Sequence, residues 1–313
     1  MPHRMRVSVV LVILALSLAP VHLDAAQDQA PPARRRLTPA ELLPVDATAF
    51  GLAAATGGDF YFWSPGEFAD AAATLRIPLG GEALLLSYDD LGRSGTRTFR
   101  VPVDGAVERL ELFCGAQRLD HVRVTRPSGL TLGDGDPTCD AQQFERMRIF
   151  GVDRPEPGAW LVELAGAGRY ALTVHARLPG SKRPPGTPEP VALVDFDFVA
   201  RGGRPGHEGL FPLERTPPPG AEVLLEIDYS GTLREVEVQL VDLAGTPLSP
   251  PLFPLIGGAD EDSLHVPLVV PARAFRAVVR GFDRTGLAAQ RVFSNSVDPN
   301  AAPSNAIDVP LKD

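Results

Sequence analysis

The stretch GAWLVELAGAGRYALTV, residues 158–174, decides the fold. Trp160, Val162 and Leu164 fall at every second position, and Tyr170, Leu172 and Val174 repeat the pattern. A period of two lines up side chains on one face of a pleated strand, whereas a helix needs apolar residues three and four apart. The turn sequence PEPG (155–158) precedes the stretch. Further upstream, Leu110, Leu112 and Cys114 alternate with Arg109 and Glu111, and Val122 and Val124 alternate with His121, Arg123 and Thr125. RPSG (126–129) and GDGD (133–136) supply turns between such runs. Short alternating strands with regular turn punctuation predict a β-sandwich or barrel over 82–178.

A second strand series lies downstream, over 193–199, 223–229, 236–241, 264–270, 275–281 and 290–294. Val236, Val238 and Leu240 alternate there with Glu235, Glu237 and Gln239. About a hundred residues with six or seven strands is the size of an immunoglobulin- or fibronectin-III-like sandwich, here placed over 191–297. The Cys-Trp-Cys pattern of true immunoglobulin domains is missing. PGSKRPPGTPEP (179–190) reads as a stiff proline-rich linker that sets the spacing of the two modules, and 298–313 as a polar tail.

Composition agrees with this reading. The 313 residues include 30 Gly and 32 Pro, and 44% are hydrophobic, which favours many turns around real cores over long helices or full disorder. The formal net charge of −9 argues against nucleic-acid binding, which needs a basic face.

The N-terminus reads as a cleaved secretory signal over 1–25: Arg4 and Arg6, then an apolar run over 7–19, then the small residues Ala25 and Ala26. The expected location is secreted or periplasmic, with no membrane insertion after cleavage. Residues 26–47 read as a disordered Pro- and Arg-rich tether that includes Arg34, Arg35 and Arg36. Over 48–81 a strand and a helix are expected. Phe60 to Trp63 are β-prone; Ser64, Pro65 and Glu67 match a capping box with Pro at the first helical position. Export would carry Cys114 and Cys139 to an oxidising compartment, where an even count favours a disulfide over two separate buried thiols.

The order of motifs resembles the region that follows the von Willebrand factor A domain in the hemicentin-like family. LAAATGGDFYFWSPGEFADAAATL (52–75) is similar to the last strand and helix of an A domain. FRVPVDGAVERLELFCG (99–115) with its downstream RPSG, and GVDRPEPGAWLVELAGAGRYALTV (151–174), resemble a galactose-binding-like sandwich. AFRAVVRGFDRTGLAAQRV (274–292) resembles the closing strands of the immunoglobulin-like domain after it. The resemblance thus implies a mainly β chain of two tandem sandwiches behind a short strand-helix remnant. The family's metal-dependent adhesion site is not expected, because the part that would carry it has no counterpart. "Galactose-binding-like" names a fold and implies no sugar site.

Candidate sites are few. Asp134, Asp136 and Asp140 cluster in a Gly-rich loop and offer hard oxygen ligands that could hold Ca²⁺, the one cofactor the sequence suggests. Asp228, Ser230 and Thr232 mimic a metal-adhesion loop, but the alternating sequence after them reads as a strand, so a hairpin turn is expected. His121, His175, His207 and His265 show no metal-ligand spacing. There is no G-x-S-x-G, H-E-x-x-H or phosphate loop, so no enzyme is expected. The expectation is a non-catalytic binding or adhesion-type protein whose partner is an extracellular or periplasmic protein or glycan. The alternative is an accessory carbohydrate- or calcium-binding module of a secreted enzyme system.

Overall fold

The computed structural model describes residues 53, 60–67, 82–91, 95–133, 136–179, 190–204, 206–255 and 263–301. The expected signal, the tether, most of the strand-helix segment, nearly all of the linker and most of the tail lie outside the described residues. What is described is mainly β. Thirteen strands follow one another: β1 Glu82–Leu91, β2 Gly95–Val103, β3 Arg109–Thr125, β4 Cys139–Gln143, β5 Met147–Asp153, β6 Gly158–Arg177, β7 Ala192–Gly202, β8 Gly209–Pro212, β9 Glu222–Ser230, β10 Arg234–Val241, β11 Ser263–Val269, β12 Arg276–Phe282 and β13 Ala288–Val292.

The first module is one antiparallel sheet in the order β1-β6-β3-β5-β4, with β2 on the other half of β6. Two strands are far longer than the sequence reading expected: β3 has 17 residues and β6 has 20. Each merges what reads as two strands. The early half of β6 pairs with β2, the late half with β1, and β3 runs beside both. Register slips between Ala116 and Arg118 and between Leu119 and His121, and such bulges bend and twist a strand. The bent halves thereby enclose one core, which holds Trp160, Val162 and Leu164 together with Tyr170, Leu172 and Val174. Glycine makes the bend possible. A Cβ on Gly166 would lie 2.2 Å from the Arg118 carbonyl oxygen, and Gly168 takes a φ of +82°.

The aromatic run lies outside this sheet. Phe60 to Trp63 form no strand; they pack as an unpaired segment, contrary to the expectation from their β propensity. Phe62 is buried against Ala171, and Gly115 leaves the space its ring fills. Tyr61 and Trp63 stack on each other beside Phe113 and Met147. The Ser64 amide donates to Glu67 Oε2 at 3.1 Å, the returning half of a capping box, and Pro65–Glu67 forms a single 3-10 turn. The helix expected after it lies outside the described residues.

The second module is a sandwich of two sheets, β8-β7-β9-β11 and β10-β12-β13, around a core that includes Leu225, Ile227, Val238, Leu240, Val266 and Val279. The expected hairpin at Asp228–Thr232 is instead a crossing between sheets. β9 pairs with β7 and β11, while β10 pairs with β12. Gly231, at a φ of +84°, permits the sharp turn.

The modules are docked against each other. Val241, Val278 and Val292 of the β10-β12-β13 sheet pack with Leu84 of β1. Around this patch Arg276 reaches Ser87 and Asp89, the Gln290 amide donates to the Leu85 carbonyl at 2.7 Å, and the Asp89 amide donates to the Leu243 carbonyl at 2.8 Å. Arg291 and Asp104, each 2% exposed, lie 2.7 Å apart as an ion pair. Arg291 also donates through Nε to the Val191 carbonyl. Side chains, and not the linker alone, therefore set the spacing.

Candidate functional site

The docking uses the outer face of the β10-β12-β13 sheet, which leaves the β7-β9-β11 sheet as the outward face of the second module. Pairing fixes what that face presents. Val199 lies opposite Leu224, and Leu224 opposite Pro267. One step toward one end of the strands, Glu222 lies opposite Val269. One step toward the other end, Asp197, Glu226 and His265 align, and beyond them Asp195, Asp228 and Ser263. The core-facing neighbours Phe198, Leu225, Ile227 and Val266 sit in the alternate positions, as a pleated strand requires.

The face is therefore graded, acidic at one end and mostly apolar at the other, where Arg201 and Glu222 also line it. The apolar end forms an open groove of about 540 Å³ floored by Val199, Leu224 and Pro267 and walled by Val269 and Leu255. Val269 and Leu255 are 59% and 60% exposed. The Leu255 amide donates to the His265 carbonyl, which holds this wall beside β11. At the acidic end, burial and the neighbouring carboxylates of Glu226, Asp195 and Asp197 hold the Asp228 carboxyl above its usual range. His265 Nε2 lies 3.0 Å from Glu226 Oε1.

Of the residues weighed in the sequence, Asp228 and His265 lie on this face, whereas the expected calcium ligands lie in the first module, where Asp136 and Asp140 each take a different arginine partner. Asp136 accepts from Arg126 and from Thr138, whose hydrogen bonds, followed by the Arg126 charge, hold its carboxyl below the usual range. Asp140 pairs with Arg109 at 3.1 Å. Asp134 lies outside the described residues. Among the described residues no group of three or more His, Cys, Asp or Glu side chains is arranged to hold a metal. Arg109 gathers Asp140, Asp153 and Glu111, against which the cost of its burial is outweighed, so its guanidinium is held charged. Gly151 makes room for it: a Cβ there would lie 2.2 Å from Arg109 Nη2. This cluster staples β3, β4 and β5.

The expected disulfide is not formed; Cys114 and Cys139 are both free thiols. Register explains why. Cys114 lies opposite Arg148 on β5, and Arg148 lies opposite Gln143 on β4, four residues from Cys139. The two sulfurs thus belong to strands about 10 Å apart and are offset by roughly 13 Å along them, beyond the reach of a disulfide. Cys114 is fully buried, and that burial pushes its thiol well above the usual range.

Trp160 is a core residue, fully buried, with its indole N–H donating to the Glu156 carbonyl at 2.8 Å. His121 pairs with Glu163 at 2.8 Å, and His175 lies edge-on to Phe113. The sequence reading missed the groove. Its signal was present: VLL at 223–225 and VPLVV at 266–270 are apolar at both parities, which a strand with one wet face does not need.

No family model and no curated protein matches the chain. Solved structures give faint likenesses. A Bacillus licheniformis lipase in propeptide form is 11% identical, over 70% of this chain and 45% of that one, with a TM-score of 0.27. The glycoside hydrolase domain of Endo-D from Streptococcus pneumoniae R6 is 11% identical, over 69% of this chain and 33% of that one, at 0.21. A titin I-band fragment is 12% identical, over 68% and 65%, at 0.21. The chain thus spans less than half of the lipase and a third of the hydrolase domain. At these scores the fold rests on the strand pairing itself.

Proposed function

We propose that this is an exported, non-catalytic binding protein that recognises a component of the cell surface or the periplasm. The observation that carries the reading is the open, mostly apolar groove on the sheet face of the second module turned away from the docked first module, among the described residues. Monomeric proteins seldom leave such a patch uncovered unless something binds there. The rigid mounting of the second module on the first supports the same reading, since recognition surfaces gain from a scaffold that does not flex. Tandem sandwiches behind a tether are also what the hemicentin-like resemblance implies, which agrees with an adhesion-type role.

The test is cross-linking of the purified, labelled protein to intact cells and to periplasmic extract, followed by rebinding of the captured component in pure form. A saturable complex is the expected result. Turnover of ester or glycoside substrates that is abolished by a single Ser or Asp substitution would overturn the reading. Fractionation that finds the protein only in the cytoplasm would overturn the exported location.

A further inference from the structure

The groove carries a charge pattern that fits one occupant, and the reading of it rests on the binding role just proposed, since the surface is the same. Val199 and Arg201 point to one side of β7, and Glu222 and Leu224 to the same side of β9. Val199 lies opposite Leu224, so two residues further along both strands Arg201 and Glu222 stand about one strand spacing apart. Both line the groove and both are exposed. Neither is ion-paired with the other or with another described residue. The surface around them is aliphatic, with Leu224, Pro267, Leu255 and Val269 prominent.

One cation beside one anion on an apolar ground is complementary to its own image. An uncharged apolar segment would leave both charges against hydrocarbon, and a segment of a single sign would meet a like charge. None of the lining residues is aromatic, so a sugar has no ring to stack on. In a two-fold dimer one patch serves both copies, and a residue that meets a second across the interface is met by it in return. An axis passing between Arg201 and Glu222 brings Arg201 beside the partner subunit's Glu222 and Glu222 beside the partner subunit's Arg201. Val269 and Leu255, 59% and 60% exposed, then leave water together. Sheets that cross at a steep angle touch over their apolar ends and carry the acidic ends of Glu226 and Asp228 apart. The first module is docked on the opposite sheet, so among the described residues it does not obstruct a second copy.

We infer that the β7-β9-β11 face pairs with the same face of a second copy, with Arg201 and Glu222 exchanged across a two-fold axis, and that self-association and the surface component share one groove.

Sedimentation velocity of the purified full chain, at micromolar to submillimolar concentrations, tests the pairing. A monomer–dimer equilibrium with a Kd on the order of 10–100 µM is expected, because the apolar strip is small and its charges are exposed. Arg201→Glu and Glu222→Arg, each with unchanged circular dichroism, should each weaken association roughly tenfold or more by setting like charges against each other. An equimolar mixture of the two variants should regain a dimer of near-original strength, because every charge then meets its opposite across the axis. Val269→Asp should abolish both self-association and capture of the labelled protein by intact cells.

A chain that stays monomeric throughout, single reversals without effect, or a mixture no stronger than its separate components would overturn the inference. Capture that survives Val269→Asp would overturn the sharing of the groove. A monomer whose capture by cells is lost on Val269→Asp would end the pairing while leaving the broader binding role standing, and a dimer that cells do not capture would do the reverse.

Discussion

Arg291 and Asp104 show what single residues do at the junction of the modules. Both charges are almost wholly out of water, so each depends on the other. Removing one partner strands a buried charge, which typically costs about 3–5 kcal/mol, whereas replacing both with apolar groups is often close to neutral. Asp104→Ala is therefore expected to lose stability in that range in urea denaturation, and Asp104→Leu combined with Arg291→Leu to recover most of it. Asp228 carries the opposite sign. Its carboxyl titrates above the usual range in the fold because burial and Glu226, Asp195 and Asp197 disfavour the charge, with His265 opposing them. The folded state thus binds the proton more tightly than the unfolded chain, and the ionised form costs stability at pH values above the folded pKa. Asp228→Asn is expected to raise the melting temperature at pH 7.5, and the gain should shrink as the pH falls through the folded value toward the ordinary Asp range. The thiols offer a third check. Both should be found reduced by mass, with the half-exposed Cys139 alkylated in the native protein and the buried Cys114 only after unfolding.

Among the elements, β3 and β6 shape the first module. Where they bend together, Gly166 sits 2.2 Å, at an added Cβ, from the backbone oxygen of Arg118, which cannot swing aside as a side chain would. Gly166→Ala is expected to cost about 1–3 kcal/mol by overpacking. Gly133→Ala, with open space around it, should stay within about 0.5 kcal/mol, so the two denaturation midpoints test the bend directly. These elements also show where the sequence was legible. The strands of the second module announced themselves because Val236, Val238 and Leu240 alternate with charged or polar neighbours without a break. The union of two apparent strands into β3 was hidden, because its bulges at Ala116/Arg118 and Leu119/His121 interrupt the alternation that Leu110, Leu112 and Cys114 show before them and Val122 and Val124 show after them. In β6, AGAG breaks the apolar alternation between Leu164 and Tyr170 in the same way, and its glycines serve close approach. Phe60 to Trp63 misled in the other direction: aromatic residues prefer strands because they fit a flat, half-buried surface, and here they found one by lying across a sheet instead of joining it.

For the whole molecule, the docking was invisible in the sequence because Arg276 and Arg291 read as ordinary surface charges and are each no more than 2% exposed. Their burial ties the stability of one module to the other. Heating is therefore expected to give a single calorimetric transition whose van't Hoff and calorimetric enthalpies agree. Arg276→Ala and Arg291→Ala together should split it into two. The graded outward face was equally hidden, since it arises from register between strands far apart in the chain and from no contiguous motif.

A consequence follows for anything gripped by the second module. A tug on that sheet travels into β1 and β2 through valines and guanidinium groups. Under modest tension the pair should therefore behave as one stiff lever and not as two beads on a string.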